Sequence, residues 1–158
     1  MNTQRREVLK TGGGVTMLAL LAAAGWLKSD QAFAADGWNA AAFATKSLDD
    51  TVRALGGSTP APSSDISFVQ TPDIAENGAV VPVGVTSAIP KTESIAVLVE
   101  KNPNMLVGVF DIPPGTAPSI STRMKMGQSS KVYALVKADG KFYVASKEVK
   151  VTLGGCGG

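Results

Sequence analysis

The polar and apolar positions of this chain change their period once. Between residues 37 and 55, Trp38, Ala42, Thr45, Leu48, Val52 and Leu55 recur at spacings of three and four. That spacing predicts one amphipathic helix, stopped by Gly56-Gly57 and covering one side of a core. Residues 59–64 read as a proline- and serine-rich linker, and beyond them the pattern is strand and turn. Strands are predicted over 66–70, 80–86, 94–100, 105–110, 120–126, 131–138 and 141–152. Between them lie Glu76-Asn77-Gly78, Lys101-Asn102-Pro103-Asn104, Pro113-Pro114-Gly115, Met126-Gly127-Gln128 and Asp139-Gly140. Asp139-Gly140 is the clearest two-residue hairpin signal among them, because both central residues of such a turn need positive φ.

In the last predicted strand, Phe142, Val144, Ser146, Glu148, Lys150 and Thr152 share one face. Tyr143, Ala145, Lys147, Val149, Val151 and Leu153 share the other, which reads as the core side over the C-terminal half. Two runs, Val80-Val81-Pro82-Val83-Gly84-Val85 and Ile95-Ala96-Val97-Leu98-Val99, are apolar on both faces. Either both are central strands, or one face of each meets a second subunit. The fold class expected is mainly β: an immunoglobulin-like antiparallel β-sandwich of about seven strands, with an N-terminal helix and a flexible C-terminal arm.

Ahead of the helix, Arg5-Arg6-Glu7-Val8-Leu9-Lys10 leads into a glycine-rich stretch and a moderately apolar run over 15–27. This has the form of a twin-arginine export signal, with Arg5 and Arg6 as its recognition pair and Ala32-Phe33-Ala34 as a small-x-small cleavage site. Val8 departs from the phenylalanine usual at its position. The other reading is an N-terminal membrane anchor, against which the run is short and rich in glycine and alanine. The organisation expected is a signal peptide over 1–34, a helix-plus-sandwich domain over 35–153 and an arm over 154–158. The destination is the periplasm, reached by the twin-arginine route, with no membrane attachment after cleavage. That route carries folded proteins, so a chain with no visible cofactor motif is expected to leave with a folded partner bound to it.

Composition then narrows the chemistry. Without residues 1–34 the chain has eleven basic and eleven acidic residues, so there is no electrostatic case for nucleic acid or an anionic membrane. The chain has no histidine, which removes the Cys-His dyad, the Ser-His-Asp triad and most zinc sites. Its carboxylates are scattered, and no glycine-rich loop precedes a helix in the manner of a phosphate site. No metal and no cofactor are expected.

What remains is one cysteine, Cys156, between Gly154-Gly155 and Gly157-Gly158. Either this is an incidental free end, or the glycines form a mobile arm that carries the thiol about 10 Å from wherever Leu153 is anchored. In an oxidising compartment a lone thiol cross-links or oxidises unless it has a use. A free cysteine titrates near 8.5, so only about 3% is thiolate at neutral pH, and nothing nearby in sequence lowers that value. Such a thiol suits a carrier that reacts inside another protein's site better than an enzyme of its own.

These residues resemble the SoxY family of sulfur carriers in the periplasmic thiosulfate-oxidising multienzyme system. The resemblance is carried by the twin-arginine signal, by Pro72-Asp73-Ile74-Ala75-Glu76-Asn77-Gly78-Ala79-Val80-Val81-Pro82-Val83, by Val99-Glu100-Lys101-Asn102-Pro103, and by Thr122-Arg123-Met124-Lys125. Above all it rests on Lys147-Glu148-Val149-Lys150-Val151-Thr152 running into Gly154-Gly155-Cys156-Gly157-Gly158. It implies that Cys156 holds the substrate covalently while Gly154, Gly155, Gly157 and Gly158 give the arm its freedom. It also implies a non-enzymatic subunit in a co-exported heterodimer with SoxZ, docking transiently with the haem-containing SoxAX, the hydrolase SoxB and, where present, the sulfane dehydrogenase SoxCD. With the resemblance set aside, a structural sandwich subunit cross-linked through Cys156 is the competing function. A ubiquitin-like carrier is excluded by its need for ATP, and a thiol oxidoreductase by the lack of a second cysteine or a histidine.

Overall fold

The computed structural model describes residues 39–152. The proposed signal with Arg5 and Arg6, the start of the predicted helix, and Gly154, Gly155, Cys156, Gly157 and Gly158 lie outside the described residues. Within them two short helices, α1 (Ala40–Phe43) and α2 (Leu48–Ala54), precede nine strands. The strands are β1 (Ala61–Pro62), β2 (Ile66–Val69), β3 (Ile74–Ala75), β4 (Val81–Ser87), β5 (Thr92–Val99), β6 (Leu106–Asp111), β7 (Ser119–Met124), β8 (Ser130–Ala138) and β9 (Lys141–Val151).

The seven predicted strands are β2 and β4 to β9, with ends within two residues of those expected. They form a sandwich: a larger sheet in the order β1-β9-β8-β5-β6, and a three-stranded sheet β2-β4-β7. β8 and β9 are joined through Asp139 and Gly140 at φ 50° and 72°, the left-handed pair that a tight hairpin needs.

Three expectations are corrected. The single helix is two, because Ser47 is extended and its side chain accepts the Asp50 amide at 3.1 Å, starting a new helix. Between the two helices the Thr45 carbonyl is free to accept the Met105 amide at 3.1 Å, which ties the break to the start of β6. The linker contains β1, whose Ala61 and Pro62 pair with Tyr143 and Val144. The sheet is also not wholly antiparallel, since β1 and β3 both run parallel to β9.

The larger sheet is buried on both faces. Ile95, Val97 and Val99 of β5 point into the core between the sheets, with Val81, Val83, Val85, Val132, Ala134, Val136 and Val149. Ala96 and Leu98, on the other face, pack with Leu135, Phe142 and Met105 beneath Ala42 and Val52 of the helices. β5 is therefore a central strand on both faces within this one chain. Each fully buried valine or leucine here contributes roughly 1.5–3 kcal/mol relative to exposure. β4 has one face fully buried and the other only partly: Pro82 is exposed, while Gly84 is covered by Val69, whose carbonyl oxygen lies 2.4 Å from where a Cβ would be.

Candidate functional site

The sequence points to the C-terminal segment, and the structure shows what holds its root. β9 ends at Val151 and is gripped on both sides. On one side Lys150 donates its amide to Asp73 O at 2.9 Å, and Thr152 donates to Ala75 O at 3.0 Å. On the other side Ser129 Oγ accepts the Val151 amide at 2.9 Å.

β3 is itself held in place. Lys147 Nζ donates to Thr71 O at 2.5 Å and pairs with Asp73 Oδ1 at 3.1 Å. Just upstream, the buried Thr71 hydroxyl accepts the Gly84 amide at 3.2 Å, after Gln70 has turned the chain at φ 55°. Downstream, Gly78 O accepts the Met126 amide at 2.7 Å. A Cβ on Gly78 would meet Met126 O at 2.4 Å and Val151 Cγ1 at 2.9 Å, so the turn lies directly against the end of β9.

The stretches that carry the family resemblance thus come together at one end of the sandwich. Asn102 Nδ2 donates to Lys125 O at 2.7 Å, and the Lys101 amide donates to Ser130 Oγ at 3.0 Å. Residues 72–83, 99–103, 122–125 and 147–152, far apart in sequence, form the frame from which residues 153–158 depart.

Two ionisable groups have shifted titrations. Glu93 is held below the usual carboxylate range by the Gly140 amide, 3.0 Å from Oε1, and by Lys137. It sits at the Asp139-Gly140 end, opposite the root. Tyr133 is pushed up, first by burial and then by its bond to Glu100 Oε1 at 3.0 Å. Both shifts belong to the scaffold. Among the described residues no three histidine, cysteine, aspartate or glutamate side chains gather as metal ligands.

Residue patterns missed the clamp. Lys147 left one trace: it is a lysine on the core face of β9, between Ala145 and Val149. Asp73, Ala75 and Ser129 left none, because they act through main-chain groups or from loops.

No curated relative matches the chain. Among solved structures, the sulfur carrier protein SoxY from Chlorobium limicola f thiosulfatophilum is 41% identical, with a TM-score of 0.61 over 67% of this chain and 96% of that one. The superoxide reductase (neelaredoxin) from Ignicoccus hospitalis aligns at 19% identity over 55% of this chain and 80% of that one, with a TM-score of 0.48. A putative superoxide reductase from Thermotoga maritima aligns at 17% identity over 60% and 88%, also at 0.48. A family profile described as sulfur oxidation protein SoxY matches residues 52–156, a range whose last residue is Cys156. On that match, which spans more than half of the chain, and on the 41% identity, this chain belongs to the SoxY family.

Proposed function

We propose that this protein carries the sulfur intermediates of thiosulfate oxidation as covalent adducts of Cys156, on an arm formed by Gly154, Gly155, Cys156, Gly157 and Gly158. It is not itself an enzyme. It works in the periplasm after twin-arginine export directed by Arg5 and Arg6, as a heterodimer with SoxZ. SoxAX, SoxB and, where present, SoxCD are its transient partners.

In the loading step a sulfur–sulfur bond forms between Cys156 Sγ and the outer sulfur of thiosulfate. The thiol proton is released and two electrons leave one at a time through the haem of SoxAX to a one-electron acceptor such as a c-type cytochrome. Water then cleaves the terminal group as sulfate with release of two protons, leaving a persulfide anion on Cys156. The chain's own contribution is a thiol that stays unreactive until a partner's site surrounds it.

The observation that carries this reading is the two-sided grip on β9 at Val151 and Thr152, four residues before Cys156. A firm root makes the reach of the thiol definite, at most about 14 Å beyond Thr152 for four extended residues. The family match, which extends to Cys156, supports it. The test is intact-mass analysis of the chain after reaction with thiosulfate and SoxAX, followed by peptide mapping. Reductant-labile adducts confined to the C-terminal peptide are expected, and adducts on any other residue overturn the reading.

A further inference from the structure

A folded β protein has to keep its sheet edges from recruiting other strands, and three of the four edges here are blunted. The larger sheet ends on one side in β1 and β3, two residues each, with Pro60, Pro62 and Pro72 in or beside them. The smaller sheet ends in β2, four residues long before Gln70 turns away, and in β7, which follows Pro118 and carries Arg123. Shortness, proline and charge are the usual means of protecting an edge.

The fourth edge, β6, is different. It reads Leu106-Val107-Gly108-Val109-Phe110-Asp111, with no proline and no charge before its last residue. Its one irregularity, a register shift opposite Val97 and Leu98, leaves Gly108–Asp111 in regular register. Ile112 turns its amide inward to Glu93 O at 2.8 Å, so by the antiparallel alternation Val109 and Asp111 turn theirs outward. Neither outward amide has an acceptor among the described residues. The smaller sheet lays β2 against β8 and β9, at the opposite side of the larger sheet from β6. Val109 is 36% exposed, and Phe110 and Ile112 are half-buried beside the fully buried Ile95 and Val97.

We infer that this edge is the docking site for one β-strand of the partner subunit. That strand pairs with β6 through main-chain hydrogen bonds, sets apolar side chains against Val109 and Phe110, and brings a basic side chain to Asp111. The inference rests on the reading above that SoxZ is bound. Asp111 is exposed and forms no ion pair among the described residues. A second copy of this chain is the poorer occupant, because β6 holds no lysine or arginine to answer Asp111. Export in the folded state fits an apolar edge, since the partner covers it before the chain crosses the membrane.

The experiment uses the mature chain co-produced with SoxZ of the same organism, and the variants Val109→Lys, Val109→Pro and, on the β7 edge, Ser121→Lys. Proline at 109 removes only an outward amide and is compatible with an edge strand. Amide exchange at Val109 and Asp111 is expected to slow about tenfold or more in the complex. Both Val109 variants should keep the native unfolding midpoint yet bind SoxZ at least about tenfold more weakly, while Ser121→Lys binds normally. If both Val109 variants fail to fold, the exchange data on the native complex decide: protection supports the inference and its absence overturns it. Val109 variants that fold and bind as tightly as the native chain overturn the edge assignment and leave the SoxZ reading standing. No complex at all between the native chain and SoxZ overturns both. A native chain that dimerises alone with the same two amides protected overturns the choice of partner.

Discussion

Thr152 donates its amide to the carbonyl of Ala75 at 3.0 Å, joining the end of the last strand to a residue 77 positions earlier. Where the C-terminal segment leaves the domain is decided by the residue 70–78 crossover, which Lys147 and the Thr71 hydroxyl hold in place.

Lys147→Met should therefore cost more than Asp73→Asn. The lysine is 27% exposed and donates to the Thr71 carbonyl, so its loss strands an acceptor and should destabilise by about 1–2 kcal/mol. Asp73 is 87% exposed, and removing its charge should cost under about 0.5 kcal/mol. Urea unfolding of both variants checks the order, and amide exchange at Val151 and Thr152 should quicken only in the lysine variant.

Gly84→Ala should be poorly tolerated. The new Cβ would lie 2.4 Å from the Val69 carbonyl oxygen, and main chain cannot move aside as a flexible side chain does. The expected cost is about 1–3 kcal/mol, read as a lowered unfolding midpoint with an unchanged slope.

Replacing Gly154 and Gly155 by proline should leave stability unchanged, since both follow Thr152, the last paired residue among those described, and should slow loading of Cys156 by SoxAX. Equal loading rates for the stiffened and native chains would show that freedom at these positions is not used.

Cys156→Ser should abolish thiosulfate turnover by the reconstituted system while SoxZ binding and stability stay within about 0.5 kcal/mol of native. A hydroxyl is too weak an acid and nucleophile to hold sulfur. Normal turnover by this variant would sink the carrier reading.

Acid stability should depend on Glu93. Its folded titration lies below the unfolded one, so its contribution is present above about pH 4.3 and is lost as pH falls through the lower folded value. Glu93→Gln should flatten the acid limb of the stability curve and leave the alkaline limb alone. An unchanged acid limb would show that the Gly140 contact does not discriminate between the two states.

Much of this protein can be read from side chains alone. Apolar runs bounded by turn residues located seven of the nine strands among the described residues, and Asp139-Gly140 announced its hairpin, because both signals live in residue type. The division of β9 between two faces was legible for the same reason: Phe142 and Val144 meet the helices, while Val149 is fully buried between the sheets. Cys156, too, was singled out by sequence, as the only thiol in a chain without histidine. The tertiary structure alone decided three things: the break between the helices, the parallel strands β1 and β3, and the grip on the end of β9. Each is made largely by main-chain groups or loop hydroxyls meeting across long sequence separations: Thr45 with Met105, Ala61 with Tyr143, Ala75 with Thr152, Ser129 with Val151. Every residue but proline carries the same backbone donor and acceptor, so pairings of this kind leave no pattern in the side chains from which they could be foreseen.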